Sequence, residues 1–396
     1  MSDTGNIGSY DPFSVDTLAN PGLAHSALVV NEPVHYFPDF DPPFYTLSKY
    51  HDVEDALRDI ELFSSEHGQG PRFTLPMGML SNPPQHTFFR NLVQQAFTPK
   101  VIAALGERIE RLSYELLDDI PDPDRFELHD DYAAPLPVIV ICELLGIPAG
   151  ARVQFKTWSD AQVAAMGASD PAQYEGQMEG LAAYLMNSIT TRRGKLDAGH
   201  EIDDDLIARL VKVREHGEGL DDAQVLSVVS QLFVGGNETT TSLITNAVWR
   251  LLEDPARWRT LANNPDRIDS AIEESLRYDP PVLGLYRTVT RDVVLRGVSI
   301  PADSKVMLNY AAANRDPEVF DAPNEFRLDR PSQRHLSFGL GVHFCLGTQL
   351  ARLEARTALS SLLKRYPELA LVNDGERIAP FFLWGRRHLP VASASH

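Results

Sequence analysis

The chain has 396 residues, 43% of them hydrophobic, and 36 basic side chains against 55 acidic ones give a formal charge of −19. That balance repels phosphate backbones and anionic lipid, so nucleic acid is not an expected partner. Its two cysteines, Cys142 and Cys345, make no disulfide framework and no C-x2-C pair of the zinc or thioredoxin kind, which points to a reducing cytoplasm. Met1–Asp16 has neither the basic stretch nor the apolar segment of a secretory signal. The part up to about residue 80 mixes short strands, His35–Phe37 and Phe44–Leu47, with a helix around Val53–Leu57. Gly68–Pro84 reads as a long Gly/Pro-rich loop carrying apolar side chains, a length typical of functional lids. From residue 81 onward helix dominates. Lys100–Val213 is mainly helical, with Arg192–Asp205 as a polar surface connection. Within it the densest apolar run, Val138–Cys142, falls far short of the ~20 residues that span a bilayer. A soluble protein without a membrane anchor is expected.

A long helix then opens at a capping-box pattern, Asp221-x-x-Gln224. Its apolar positions Val225, Val228, Val229, Leu232 and Phe233 resume as Ile244, Ala247, Val248 and Leu251, ending near Asp254–Pro255. Gly235 and Gly236 interrupt it, each at a cost of about 1 kcal/mol relative to alanine. Such a pair needs a reason. Strand-like turns fill Val293–Leu308, and a last amphipathic helix runs from Leu346 to Tyr366. Length alone suggests roughly two to three domains. The motifs argue instead for one domain over 1–396, mainly α with small β-sheets (α+β).

The strongest signal is Phe338-Gly339-Leu340-Gly341-Val342-His343-Phe344-Cys345-Leu346-Gly347. Leu346, Leu350, Leu353, Leu359, Leu362 and Leu363 form one stripe, which places Cys345 at a helix start, where backbone dipoles favour a thiolate. Gly339 and Gly341 allow a tight loop whose amides approach the sulfur, and Phe338 can shield it from water. A thiolate in a dry loop suits a soft, electron-donating iron ligand. Cys142, inside Val-Ile-Val-Ile-Cys, reads as a small buried hydrophobe. No second Cys or clustered His near Cys345 supports zinc.

The pattern F-G-x-G-x-H-x-C-x-G resembles the haem loop of the cytochromes P-450. The resemblance implies haem b with Cys345 as axial ligand, in a fold that sandwiches the haem between this loop and the long helix. Gly235-Gly236-Asn237-Glu238-Thr239-Thr240 is similar to the family's oxygen-activation motif. Small residues there open the helix wall to dioxygen, and Glu238 and Thr239 form an acid–alcohol pair that delivers protons. Taken alone, the same residues also fit a solvent-facing Glu beside helix-tolerated Thr. Glu274 and Arg277 match the family's E-x-x-R, with Arg330 as third partner; without that context they are an ordinary i, i+3 ion pair. For the haem propionates the resemblance implies His86 and Arg90, in Pro83-Pro84-Gln85-His86-Thr87-Phe88-Phe89-Arg90, together with Arg287 and His335. Asn82 stands where the family usually has Asp. Gly347 completes the haem contacts.

Substrate contact is expected from Phe73, Leu75, Met77 and Met79 in the long loop, Phe233 in the long helix, Val282, Leu283 and Leu285, and Phe381 and Phe382. Plain core packing explains each equally well. Trp384, in the closing Leu383-Trp384-Gly385-Arg386-Arg387-His388-Leu389-Pro390-Val391, replaces a common Arg and would alter one wall near the substrate. The resemblance implies insertion of one atom of dioxygen into a small or medium apolar compound: a terpenoid, steroid, fatty acid or aromatic. No G-x-G-x-x-G motif supplies electrons, so a separate ferredoxin and NAD(P)H-dependent ferredoxin reductase are expected. They would dock at a local basic patch, for which Arg72, Lys100 and Arg352 are candidates. A non-catalytic haem-thiolate sensor and a peroxide-driven enzyme are the alternatives, and the acid–alcohol pair argues against both.

Overall fold

The computed structural model describes residues 10–167, 170–215 and 218–393; the first nine residues of the stretch read for a secretory signal lie outside these. The central element is the helix Asp222–Leu252, opened by the capping box its sequence announces. The Asp221 carboxylate accepts from the Gln224 amide at 2.7 Å, and the Gln224 side chain accepts from the Asp221 amide at 3.0 Å. From Asn237 onward almost every residue of this helix is buried. It packs against Pro135–Leu145, Glu175–Asp197 and Thr348–Arg365. All-round burial explains why its apolar pattern is broad rather than a narrow stripe. Among the described residues, no helix is long and apolar enough to cross a membrane.

The expected surface connection over Arg192–Asp205 begins later, after Asp197. Helix Glu175–Asp197 continues through Arg192 and Arg193, because their charges are met by Asp205 at 2.6 Å and Asp222 at 2.5 Å. Only the first part of that stretch is helical; residues 198–205 form the exposed connection to the helix Leu206–Lys212.

Strands β1 (Val34–Phe37), β2 (Phe44–Leu47), β3 (Phe63–Ser64), β4 (Gly284–Val289) and β5 (Lys305–Asn309) form one sheet in the order β1-β2-β5-β4-β3. β5 runs parallel to β2 and antiparallel to β4, so the N-terminal strands share a sheet with strands some 240 residues later, from β2 at Phe44 to β4 at Gly284. The register Met307↔Tyr286 and Met307↔Thr46 carries Arg287 and Leu285 to the cavity described below. A smaller sheet pairs Pro390–Ser393 with Leu369–Leu371 and Arg125–Glu127 and anchors the C-terminal segment.

Behind the cysteine loop lies a buried ionic knot. Glu274 accepts two bonds from Arg277, both 2.8 Å, and two from Arg330 Nε at 2.9 and 3.1 Å. Arg277 also donates to the carbonyls of Asn314, Pro323 and Glu325. Asn314 binds the Leu336 amide and the Ser337 hydroxyl, and Ser337 Oγ donates to Leu276 O at 2.6 Å. The knot therefore pins the strand of chain that enters the cysteine loop.

Candidate active site

A cavity of about 310 Å³ lies between the central helix and the cysteine loop. Its lining includes Arg90, Gly235, Gly236, Thr239, Arg287, Phe338, Gly339, Cys345 and Gly347, together with Met79, Val282 and Leu285. Gly235 leaves this wall open: a Cβ built there meets nothing within 4 Å. Gly236 serves packing instead, since a Cβ there would sit 3.2 Å from Ile141 Cδ1. In the loop, Gly339 and Gly341 have φ of +65° and +69°, a region costly for other residues. A Cβ on Gly341 would also lie 2.7 Å from the Leu57 carbonyl oxygen. The loop closes with the Cys345 amide donating to Phe338 O at 2.9 Å.

Cys345 opens onto the cavity. Burial pushes its thiol above the ordinary value, while the Gly347 amide, the Thr348 hydroxyl, Arg90 and Arg352 act the other way. The helix expected from Leu346 begins instead at Thr348, three residues after the sulfur and with Gly347 as its cap, so the dipole contributes through Gly347's amide rather than through Cys345 as a cap. The protein environment alone thus favours the neutral thiol. A cation at the sulfur would deprotonate it outright.

The cationic side of the cavity fits a dianionic group. Arg287 is fully buried, and its recorded hydrogen bond goes to the Tyr286 carbonyl, with no carboxylate in reach among the described residues. Arg90 likewise has no acidic partner among them. His86 is buried with both ring nitrogens unpartnered, its ring 4.5 Å from that of His343. Burial, then Arg287 and His86, drive His343 down to about 3, so it stays neutral. Isolated buried cations are costly unless an anion meets them. Two propionates beside a sulfur ligand match this donor set. His335 does not join it: its ring sits 3.2 Å from Glu273 and receives the Ser337 amide, behind Phe338. Glu273 draws it away from the cavity.

Glu238 lies off the cavity wall, one residue from Thr239, which is on it. Burial, then the nearby Asp160 carboxylate, raise Glu238 to about 7, with Ser242, Arg387 and Lys156 opposing. Ser242 Oγ donates to it at 3.3 Å. Gly385 lets the C-terminal turn close on this spot, where any Cβ would collide with Ser242. Arg387 thereby reaches Asp130 at 2.8 Å and Asp160 at 3.5 Å, while Lys156 bridges the same two carboxylates at 3.1 and 2.9 Å. This half-exposed charge cluster acts on the buried Glu238 through space, while the side-chain hydrogen bond to Glu238 comes from Ser242. Thr239 Oγ1 donates to Gly235 O at 2.8 Å.

The structure moves several expected substrate contacts elsewhere. Phe73, Leu75 and Met77 are exposed, Leu75 at 90%. Phe233 turns from the cavity to pack on Phe155, with ring centroids 5.2 Å apart. Leu283 and Phe382 are core residues joined by a backbone bond, and Phe381 stacks near Phe13 at 4.4 Å. Trp384 is buried beside Trp249 and off the wall. For Phe233, Leu283, Phe382 and Trp384, burial in the core satisfies an apolar side chain as well as a ligand would. The sequence reading missed Gln69, Gln231, His343 and Glu354 on the wall. Glu354 had a signal: it interrupts the stripe between Leu350 and Ala358 at i, i+4. Its carboxyl is buried without partners, and burial raises it well above the usual range. Among the described residues no three His, Cys, Asp or Glu side chains cluster to hold a metal ion.

The cytochrome P450 family profile matches residues 167–371. The chain is 40% identical to the erythromycin C-12 hydroxylase of Saccharopolyspora erythraea, over 88% of each chain. It belongs to the cytochrome P450 family. This P450 is also 37% identical to the vitamin D(3) 25-hydroxylase of Pseudonocardia autotrophica, over 93% of its own length and 92% of the relative's. Its fold superposes on Bacillus megaterium CYP109E1 in complex with testosterone, with TM-score 0.85 and 32% identity over 96% and 99% of the two chains. As a member of the family it is a haem-thiolate oxidoreductase of the monooxygenase class.

Proposed function

We propose that this P450 hydroxylates rigid, largely apolar molecules of steroid or terpenoid size, with haem b held between Cys345 and the central helix. The observation that carries the reading is the cavity itself, with a cysteine sulfur on one wall and the Gly235 gap with Thr239 on the other. Bound haem supplies dioxygen activation and oxygen transfer; the chain supplies ligand, propionate partners, protons and substrate pose. Cys345 would ligate the iron, and Arg90, Arg287 and His86 would hold the propionates. Met79, Val282, Leu285, Leu232 and Leu243 present an apolar surface that selects for shape and excludes water. Glu238, poised near neutrality, takes protons from the surface through the Asp160–Arg387 cluster, and the Thr239 hydroxyl presents them inside the cavity. The substrate class is supported by relatives that hydroxylate vitamin D(3) and erythromycin, and by the fold's likeness to a testosterone complex.

Electrons come, in this reading, from a separate ferredoxin and its reductase, docking on the cysteine-loop face. Arg352 contributes little free charge there, because Glu273 binds it at 2.6 and 2.7 Å. Lys100 is exposed and Arg72 lies over the Phe40 ring. The test is a spectral titration of purified holoprotein with testosterone, vitamin D(3), a macrolide and a long-chain fatty acid. The expected result is a Soret shift with the steroid-type ligands and hydroxylated product on adding ferredoxin, reductase and NADPH. Shifts with the fatty acid alone would overturn the substrate class.

A further inference from the structure

We infer that Gln231 is a latch: its side-chain amide ties the cavity roof, Met77–Leu80, to the central helix and so sets how fast bulky ligands pass. The inference rests on the reading of this cavity as the substrate site. One amide group meets two backbone groups of the same segment. Gln231 Oε1 accepts from the Met79 amide at 3.0 Å, and Nε2 donates to the Met77 carbonyl at 2.6 Å. Ser227 Oγ, one turn earlier, accepts a third bond from Nε2 at 2.9 Å and fixes the rotamer. The paired donor and acceptor copy what a neighbouring strand offers, and an extended segment recognised in that way has its register set.

Gly78 is shaped to the latch. It has φ of +65°, and a Cβ there would stand 2.9 Å from both Gln231 Nε2 and Oε1. Met77 is exposed to solvent, Met79 lines the cavity, and Leu80 lines it while remaining partly exposed. Gln231 itself lines the cavity one helical turn before Gly235. The far end of the loop is held separately. Buried Lys305 donates to the His67 and Gly68 carbonyls at 2.7 and 3.2 Å, and the Tyr286 amide donates to Gln69 O. Between these anchors the loop carries exposed Phe73 and Leu75. Swinging Met79 and Leu80 aside thus requires the Gln231 bonds to break while the Lys305 end stays in place.

The test uses holoprotein and two haem ligands of different girth, imidazole and 4-phenylimidazole, followed by stopped flow at the Soret band. Gln231→Ala is expected to raise both association and dissociation rates of 4-phenylimidazole about tenfold, as losing one or two net hydrogen bonds implies, with imidazole changed far less. Gln231→Glu keeps the acceptor for Met79 but loses the donor to Met77, and is expected to fall between. Gly78→Ala disrupts the same contact from the other side, so the double variant should be no faster than the faster single one. Hydrogen exchange at the Met79 amide, which needs no ligand, should quicken about tenfold in Gln231→Ala while the cysteine loop is unchanged. Unaltered exchange at Met79, or unaltered 4-phenylimidazole rates, overturns the latch. Failure of the haem-thiolate reading would show differently, as a reduced wild-type carbonyl complex without the long-wavelength Soret band.

Discussion

Glu238 is a buried carboxyl held near neutrality, which has two consequences of opposite kind. For catalysis, a group that titrates near the working pH is suited to relaying protons. Glu238→Gln is expected to lower turnover roughly 10²-fold, and Thr239→Ala to raise the reductant consumed per product formed. Unchanged coupling in both would remove the relay and favour a sensor or a peroxide-driven enzyme. For stability the sign is the reverse of a salt-bridged acid. Its folded pKa of about 7 lies above the ordinary value of 4.5, so the unfolded chain ionises first. Stability is therefore lost as pH rises from about 4.5 to 7 and stays reduced above. Glu238→Gln should raise folding stability at pH 8 but not at pH 4.5, by on the order of 3 kcal/mol at most, read as a higher melting temperature at pH 8. Cys345→Ala should abolish the long-wavelength carbonyl band, and its retention would refute the ligand assignment. If Arg287 holds a propionate as proposed, Arg287→Met removes that buried partner, and haem retention on dilution should fall at least tenfold.

At the level of elements, the cysteine loop is rigid because three pieces of chain hold it. The Glu274–Arg277–Arg330 knot fixes its approach, Asn314 and Ser337 fix its first turn, and Gly341 lets it lie against Leu57. Breaking the knot strands a buried charge. Glu274→Ala is expected to cost about 3–5 kcal/mol, read from urea unfolding of the apoprotein so that haem loss does not confound it. The i, i+3 spacing of Glu274 and Arg277 was visible in the chain, but spacing does not distinguish an exposed pair worth a few tenths of a kcal/mol from this buried one. The long helix illustrates the converse. Its cap and periodicity stated its start, and Gly235–Gly236 flagged a break in an otherwise favourable pattern.

Across the whole molecule, haem is expected to act as a structural element as well as a reagent. It would join the central helix to the cysteine loop and neutralise Arg90 and Arg287 together, so binding stabilises the folded state by mass action. Removing it should lower the melting temperature by several degrees and loosen the cysteine loop first in hydrogen exchange. Sequence alone determined the family and the cap of the long helix, and it supplied the proposals of a thiolate ligand and an acid–alcohol pair, because each depends on residue types at short, rigid spacing. Which apolar residues face the cavity was settled only by tertiary packing. Phe233, Phe381 and Met79 are equally hydrophobic as letters, yet they point to core, to Phe13 and to the cavity. The placements of His335, Gln231 and Glu354 likewise depend on partners far away in the chain. Glu273 lies 62 residues from His335, and Met79 lies 152 from Gln231, separations over which only the folded chain decides who meets whom.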